Sequence, residues 1–393
     1  MSHLRKRYAT NLILKRLKFS RVLTLQGARQ TGKSVLVRDV IAKGLPKATY
    51  VTFDARALAD FAQDRPDSFL AEHEDAAPLI IDEAQKAHHI FDAIKLVVDQ
   101  APRPGRYLLL GSTEFSHLSR VRESLTGRMA RIRLYPLTIG ETNNLPLREF
   151  NLKKLFLDHS RVNRAQLMKH IKFGGMPGMF SVRDDSERNR LFEDWIKLTC
   201  ERDAKQFPDT KIDADLCLLV LEQIIKLDEP TAGNIAKTLK RDLRRIKTHL
   251  MVMETLFVIN KISPHTAGTG KPIYYLLDVA LAHFLGAPFY KCIETFIKTE
   301  LDALISYHDA PLTKMTYFRS RAGGKIHFII EDTSQMAAIK ILDQESLDLR
   351  EVEILKAFQK RKMAKPLHCY ALCGARFSLK KENIEIFPWE SVG

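Results

Sequence analysis

The eight residues Gly27-Ala28-Arg29-Gln30-Thr31-Gly32-Lys33-Ser34 restrict this chain more than any other stretch. They follow Val22–Gln26, a short apolar and β-branched run, and lead into a helical pattern from Val35 to Ala42. Strand, G-x-x-x-x-G-K-S and helix in that order demand an open parallel sheet, because such a loop works only where a buried strand hands over to a helix. Backbone N–H groups and the positive end of the helix dipole then converge on a phosphate, and the glycines let the backbone come close. Lys33 would supply charge to the β and γ oxygens of a nucleotide, and the Ser34 hydroxyl is a hard ligand of the kind Mg²⁺ takes. The expected nucleotide-binding set is Gly27, Ala28, Arg29, Gln30, Thr31, Gly32, Lys33, Ser34 and Val35.

Two later strands fit the same site. Pro78-Leu79-Ile80-Ile81-Asp82-Glu83-Ala84-Gln85 is an apolar strand ending in two carboxylates. Asp82 would hold Mg²⁺ through its water shell, and Glu83 would orient and deprotonate the attacking water. An adjacent Glu suits an ATP hydrolase better than a nucleotide kinase, which has no water to activate, or a Ras-like GTPase, which positions water with a Gln. The chain contains no Asn-Lys-x-Asp run for reading guanine, so ATP is preferred over GTP. Arg106 to Thr113 is a further apolar strand with polar residues at its tip. Ser112, and after it Thr113, could contact the γ-phosphate or the water; the pair also reads as an ordinary loop start. Arg128, closing Ser124-Leu125-Thr126-Gly127-Arg128, could spread charge on the transferring phosphate, in its own copy or a neighbouring one. A solvated or ion-paired arginine is the plainer reading.

These segments, with Tyr135-Pro136-Leu137-Thr138-Ile139-Gly140-Glu141 after them, resemble the ordered signature of the prokaryotic AAA-type P-loop ATPases that carry a C-terminal domain of unknown function. Phe173-Gly174-Gly175-Met176-Pro177 and Lys271 to Asp278 look like the C-terminal part of that family. The resemblance implies an ATPase core followed by a restriction-endonuclease-like region. Family members often carry Glu-Val-Asp and then an acidic residue ahead of Val-Lys as a Mg²⁺-binding cluster. The corresponding places in this chain hold Lys325-Ile326-His327 and Ala338-Ile339-Lys340, so the cluster's carboxylates are replaced and a recognition or docking role is expected in place of cleavage. Glu331, Asp332 and Asp343 are the nearby acidic alternatives.

The 393 residues suggest two or three domains. We expect an α/β fold: a doubly wound parallel sheet over residues 1–145, a helical connecting segment over 146–212, a winged-helix-like domain over 213–290 and a nuclease-like α/β domain over 291–393. The N-terminal stretch Ser2 to Lys18 reads as the first helix, with Leu12, Leu14 and Leu17 partly buried, and Gly174 to Gly178 as a turn able to serve as a hinge. A formal net charge of +15 makes the surface attractive to polyanions. Lys237, Lys240, Arg241, Arg244, Arg245 and Lys247 decorate the second and third helices of the winged-helix outline, Leu216 to Leu227, Pro230 to Leu239 and Arg241 to Glu254. Such a face can hold DNA phosphates or be a solvated or protein-docking surface. Five scattered cysteines argue against a secreted disulfide framework, and no run approaches a membrane span, so the cytoplasm is the expected compartment.

The resulting expectation is a Mg²⁺-dependent ATPase that couples hydrolysis to movement against a macromolecular client, with a homo-oligomer or a protein partner as open possibilities. Two other readings stand beside it: a nucleotide-gated DNA-binding or regulatory module with little turnover, and a DNA-cleaving enzyme.

Overall fold

The computed structural model describes residues 4–115, 125, 127–156, 160–207, 210–342, 349–361, 363–375, 378–381 and 383–393. They form two compact units: residues 1–136 with 255–257, and the remainder of 137–393. Ser124 and Thr126 of the Arg128 segment, and Asp343, lie outside the described residues.

In the first unit the five strands β1 (Val22–Gln26), β2 (Thr49–Thr52), β3 (Leu79–Asp82), β4 (Tyr107–Gly111) and β5 (Met129–Arg133) stand in the order β2-β3-β4-β1-β5. Every neighbouring pair is parallel. The central strands β1, β3 and β4 are buried along their whole length, which is why they read as unbroken apolar runs. Helices α1 (Ala9–Leu17), α2 (Lys33–Leu36, continuing as helical turns to Gly44), α3 (Arg56–Asp64), α4 (Pro66–Glu72) and α5 (His89–Gln100) flank the sheet. The expected doubly wound α/β sheet is therefore present. Helix α1 starts at Ala9, later than expected, because Arg7 is drawn inward: its guanidinium donates to Thr31 O at 2.7 Å and to Tyr135 O at 2.6 Å.

The second unit holds helices α6 (Ile139–Thr142), α7 (Arg164–Phe173), α8 (Pro177–Phe180), α9 (Asp185–Lys197), α10 (Ala214–Lys226), α11 (Ala232–Leu239), α12 (Leu243–Thr255), α13 (Val279–Phe284), α14 (Phe289–Tyr307) and α15 (Leu349–Gln359). Its strands are β6 (Ile259–Pro264), β7 (Ile273–Leu276), β8 (Lys314–Arg319), β9 (Lys325–Glu331), β10 (Met336–Ile341), β11 (Leu367–Cys373), β12 (Leu379–Lys381) and β13 (Ile384–Pro388). They make one mixed sheet in the order β12-β13-β11-β10-β9-β8-β6-β7. Alternation along β10 shows how both faces are covered. Ala337, Ile339 and Ile341 pack with Ile293, Phe296 and Ile297 of α14, whereas Met336 and Ala338 pack with Val352, Leu355 and Phe358 of α15. Helices α10, α11 and α12 stand over the three stretches expected to be helical, and the β6–β7 hairpin follows them.

The Gly174 to Gly178 turn is tied to a buried carboxylate. Asp278, which caps α13 by accepting from Ala280 N at 2.8 Å, also accepts from Gly175 N at 2.7 Å with its other oxygen. The two glycine- and aspartate-bearing motifs of the C-terminal part are thus joined through one buried carboxylate. All five cysteines are buried and free. Among the described residues no helix is long and apolar enough to cross a membrane.

A buried acid in this unit gives its stability a pH dependence. Glu300 on α14 accepts from Ile139 N at 2.8 Å and lies 3.8 Å from His170 Nε2. Burial, reinforced by the nearby Glu141 charge, pushes the Glu300 carboxyl up to about 8, and burial pushes His170 down to about 3. Folded Glu300 keeps a proton that the unfolded chain releases near pH 4.5, so its contribution is full below that pH and is lost up to about 8. His170 acts the other way, its contribution being lost as pH falls from 6.5 towards 3. Between pH 6.5 and 8 Glu300 acts alone. Urea unfolding followed over that interval should show a decline of about 1–2 kcal/mol that Glu300→Gln removes. An equal decline in the variant would assign it elsewhere.

Candidate functional site

The order β3-β4-β1 sets the site. β4 lies between the strand that feeds the glycine loop and the strand that ends in Asp82-Glu83, so the tip of β4 faces both. The three strands are parallel, and their C-terminal ends bring Gly27 to Ser34, Asp82, Glu83 and Ser112 to one edge of the sheet.

The loop is held in shape by its own residues. Gly32 has φ 92° and Gln30 φ 63°, both in the left-handed region. A Cβ on Gly27 would lie 2.3 Å from Leu134 O, so only glycine fits where the loop leaves β1. Thr31 donates its hydroxyl to Ala28 O at 2.9 Å, and Arg7 braces the loop at Thr31 O. Lys33 is 5% exposed and donates from Nζ to Gly27 O and Ala28 O, both at 2.9 Å. Burial lowers its pKa to about 8, against the raising effect of Glu83 and Asp82. The ammonium is thus stored on the loop's carbonyls beside two carboxylates.

Asp82 is buried and accepts from the Tyr50 hydroxyl at 2.6 Å and from Glu83 N at 3.0 Å. Glu83 has φ 52°, a left-handed conformation that costs of order 1–3 kcal/mol for a residue with a side chain. That turn brings its carboxylate to the tip of β4. There Ser112 Oγ donates to Glu83 Oε2 at 3.3 Å, and Gln85 Nε2 donates to the same oxygen and to Ser112 Oγ, the latter at 3.4 Å. Ser112 is the strand-tip hydroxyl that reaches the acid. Thr113 is held otherwise: its carbonyl accepts from Gln26 Nε2 at 3.2 Å, and its buried hydroxyl has no hydrogen-bond partner among the described residues.

Arg128 is not brought to this edge. It precedes Met129, which pairs with Val22 at the start of β1, so the full strand length of roughly 17 Å separates it from the loop. Its guanidinium forms a two-pronged pair with Asp99 at 2.6 and 2.8 Å, near the end of α5.

Sequence reasoning assigned no role to Arg7, Tyr50 or Gln85. Gln85 stands in the quoted run after Glu83, two residues on, a spacing that returns a side chain to the same turn. Tyr50 carried a weaker signal, as the one long polar side chain on the short strand ahead of Pro78.

Residues 19–143 match the family model described as AAA domain, and residues 164–289 match a domain of unknown function (DUF8612). Uncharacterized proteins of Mycobacterium tuberculosis and Mycobacterium bovis are each 26% identical over 271 residues, which is 67% of this chain and 56% of theirs. One of Methanocaldococcus jannaschii is 23% identical over 185 residues, covering 45% of this chain and 40% of that protein. The chain therefore spans about half the length of the curated relatives it matches. Among solved structures, a Walker-type ATPase of Pyrococcus abyssi aligns over 72% of this chain and 96% of its own at 14% identity, with a TM-score of 0.46.

Proposed function

We propose that this chain, which belongs to the AAA-type P-loop ATPases through its residues 19–143, hydrolyses ATP with Mg²⁺ and uses the turnover to move its C-terminal unit against a macromolecular client. The observation that supports hydrolysis most directly is the Ser112–Glu83 contact at 3.3 Å beside the loop of Lys33, an acid and a hydroxyl held at the place where the γ-phosphate would lie. Ser34 and Asp82 offer the hard oxygen donors that suit Mg²⁺, which when bound would neutralise charge on the phosphate oxygens. The loop N–H groups and Lys33 hold the triphosphate, Glu83 takes a proton from water, and Ser112 fixes the direction of its carboxylate. Phosphate release with Mg·ATP, with and without duplex DNA, compared between the native chain and Lys33→Ala, tests the reading. Release that is equal in the two proteins would end it.

A DNA client is favoured by one feature of α11 and α12. Lys240, Arg241, Arg244, Arg245 and Lys247 are all exposed, and Asp242 caps the helix start by accepting from Arg244 N and Arg245 N at 2.9 and 3.0 Å. Arg245 is turned to Asp213 at 2.7 Å. The phosphate-facing set is then Lys240, Arg241, Arg244 and Lys247. Replacing Arg241, Arg244 and Lys247 together should flatten the log–log salt dependence of duplex binding by ~0.9 for each lost contact. An unchanged slope would place the footprint elsewhere.

A further inference from the structure

A cleft of about 1020 Å³ opens in the second unit at the N-terminal ends of the parallel strands β11 and β13. Leu367 and Cys369 of β11 line it, with Asn383 just before β13. In the strand register Leu367 stands beside Met336, whereas Ile341, which donates to His327, stands beside Leu372. The cleft is therefore roughly 17 Å along the sheet from the end where His327 lies. Five cations line it, Lys153, Lys154, Arg361, Lys365 and Lys380, against one carboxylate among the described residues, Glu385.

The walls are fixed by bonds of their own. Asn151 Oδ1 accepts from Lys153 N at 2.9 Å, and the buried Tyr370 hydroxyl donates to Leu152 O at 2.8 Å, so the turn that carries Lys153 and Lys154 is tied to β11. Arg361 donates to Ala267 O at 2.7 Å with its guanidinium 4.7 Å from the centre of the Phe318 ring. Gln359 Nε2 donates to Asn383 O at 3.1 Å and joins the end of α15 to the start of β13. Tyr370 packs on the α14 side of the sheet and Phe318 on the α15 side, so the cations reach the cleft from opposite faces. Lys365 already holds Glu331. Lys153, Lys154 and Lys380 are exposed and have no ion pair among the described residues. Like charges gathered on a fixed frame repel one another until an anion lies between them.

The lining also selects the anion. Cations that come from opposite faces suit a chain of phosphates better than a single one. Phe156 and Phe387, the aromatic lining residues, are 4% and 3% exposed and offer no face on which a base could stack. Contacts of lysine to phosphate position a duplex without reading its sequence. We infer that this cleft holds the phosphate backbone of duplex nucleic acid, through Lys153, Lys154, Lys380 and Arg361. It shares no residue with α11 and α12 and needs no nucleotide turnover, so it stands without either of those readings.

The test is binding of a fluorescently labelled duplex to the full chain, read by anisotropy between about 50 and 200 mM salt. Replacing Lys153, Lys154 and Lys380 together by Ala should lower the log–log salt slope by ~0.9 for each lost contact and weaken binding roughly tenfold or more at about 0.1 M salt. All three side chains are exposed, so the urea unfolding midpoint should stay native. A control with Lys197, Lys271 and Lys314 replaced by Ala removes the same charge from other exposed positions of the unit and should keep the slope. An equal fall in the control assigns the effect to net charge and overturns the cleft. An unchanged slope in the cleft variant overturns it too, as does a native chain that binds no duplex. Loss of binding to labelled polyglutamate, with duplex binding unchanged, would give the cleft to an acidic protein instead. The variant of Arg241, Arg244 and Lys247, measured beside it, reports on α11 and α12 separately, so either surface can fail alone.

Discussion

Glu83→Gln should bind ATP as the native chain does and release phosphate about 10²–10⁴-fold more slowly, whereas Lys33→Ala should lose nucleotide binding itself. In the proposed reading the two residues would face the same phosphate but act on different partners. Lys33 is stored on Gly27 O and Ala28 O, already inside the loop, and its loss leaves the β and γ oxygens without their buried counter-charge. Glu83 is turned by a left-handed backbone towards Ser112, so an amide of the same shape keeps that neighbour and cannot take a proton. Binding of a fluorescent analogue and phosphate release, measured on both variants, separate these effects. Turnover in Glu83→Gln equal to the native rate would remove Glu83 from the mechanism. Tight binding with negligible turnover in the native chain would favour the nucleotide-gated switch, and DNA nicking that survives loss of Glu83 would favour a nuclease.

What could be read from the amino acids was what lies contiguous on one strand end. The loop, Asp82-Glu83 and Ser112 each follow an apolar run, and parallel pairing necessarily collects such ends at one edge. Arg128 shows where this fails. It lies just before a strand, and residues before a parallel strand gather at the opposite edge, so proximity in sequence to Ser112 says nothing about proximity in space. Tyr50 and Arg7 reach the site from elements whose own patterns are ordinary, and a side chain's reach is set by register, which one sequence does not specify. Helix α14 hid its chemistry in another way. Lys291, Glu294, Lys298 and Glu300 punctuate an apolar pattern and look like a solvated stripe, yet all four are buried because helices and sheet close over every side of it.

Glu294 carries the second large effect. Its carboxylate receives Lys291 Nζ at 3.0 Å, Lys325 Nζ at 3.1 Å and His327 Nε2 at 2.9 Å, inside the unit's core. Burial alone would raise the Glu294 carboxyl, but Lys325, the His327 hydrogen bond and Lys291 outweigh it and hold it well below the usual carboxylate range. His327 accepts from Ile341 N at 3.0 Å through Nδ1, so its proton is on Nε2 and faces Glu294. Both ring nitrogens are engaged, and neither offers a lone pair to a metal. Lys325 and His327, which the resemblance set at the positions of a Mg²⁺-binding cluster, therefore belong to an internal ion network. Glu331 is tied to Lys365 at 2.6 Å, and Asp332 accepts from Ser334 N at 2.7 Å and Gln335 N at 2.8 Å, so each is already held by local partners. Glu294→Gln should cost about 3–5 kcal/mol in urea unfolding of the full chain, because it leaves the buried Lys291 and the half-buried Lys325 without their shared carboxylate. Plasmid incubated with the native chain and Mg²⁺ or Mn²⁺ should remain uncut. Metal-dependent nicking abolished by Glu294→Gln, in a variant that keeps its native unfolding midpoint, would turn the network back into a cleavage site.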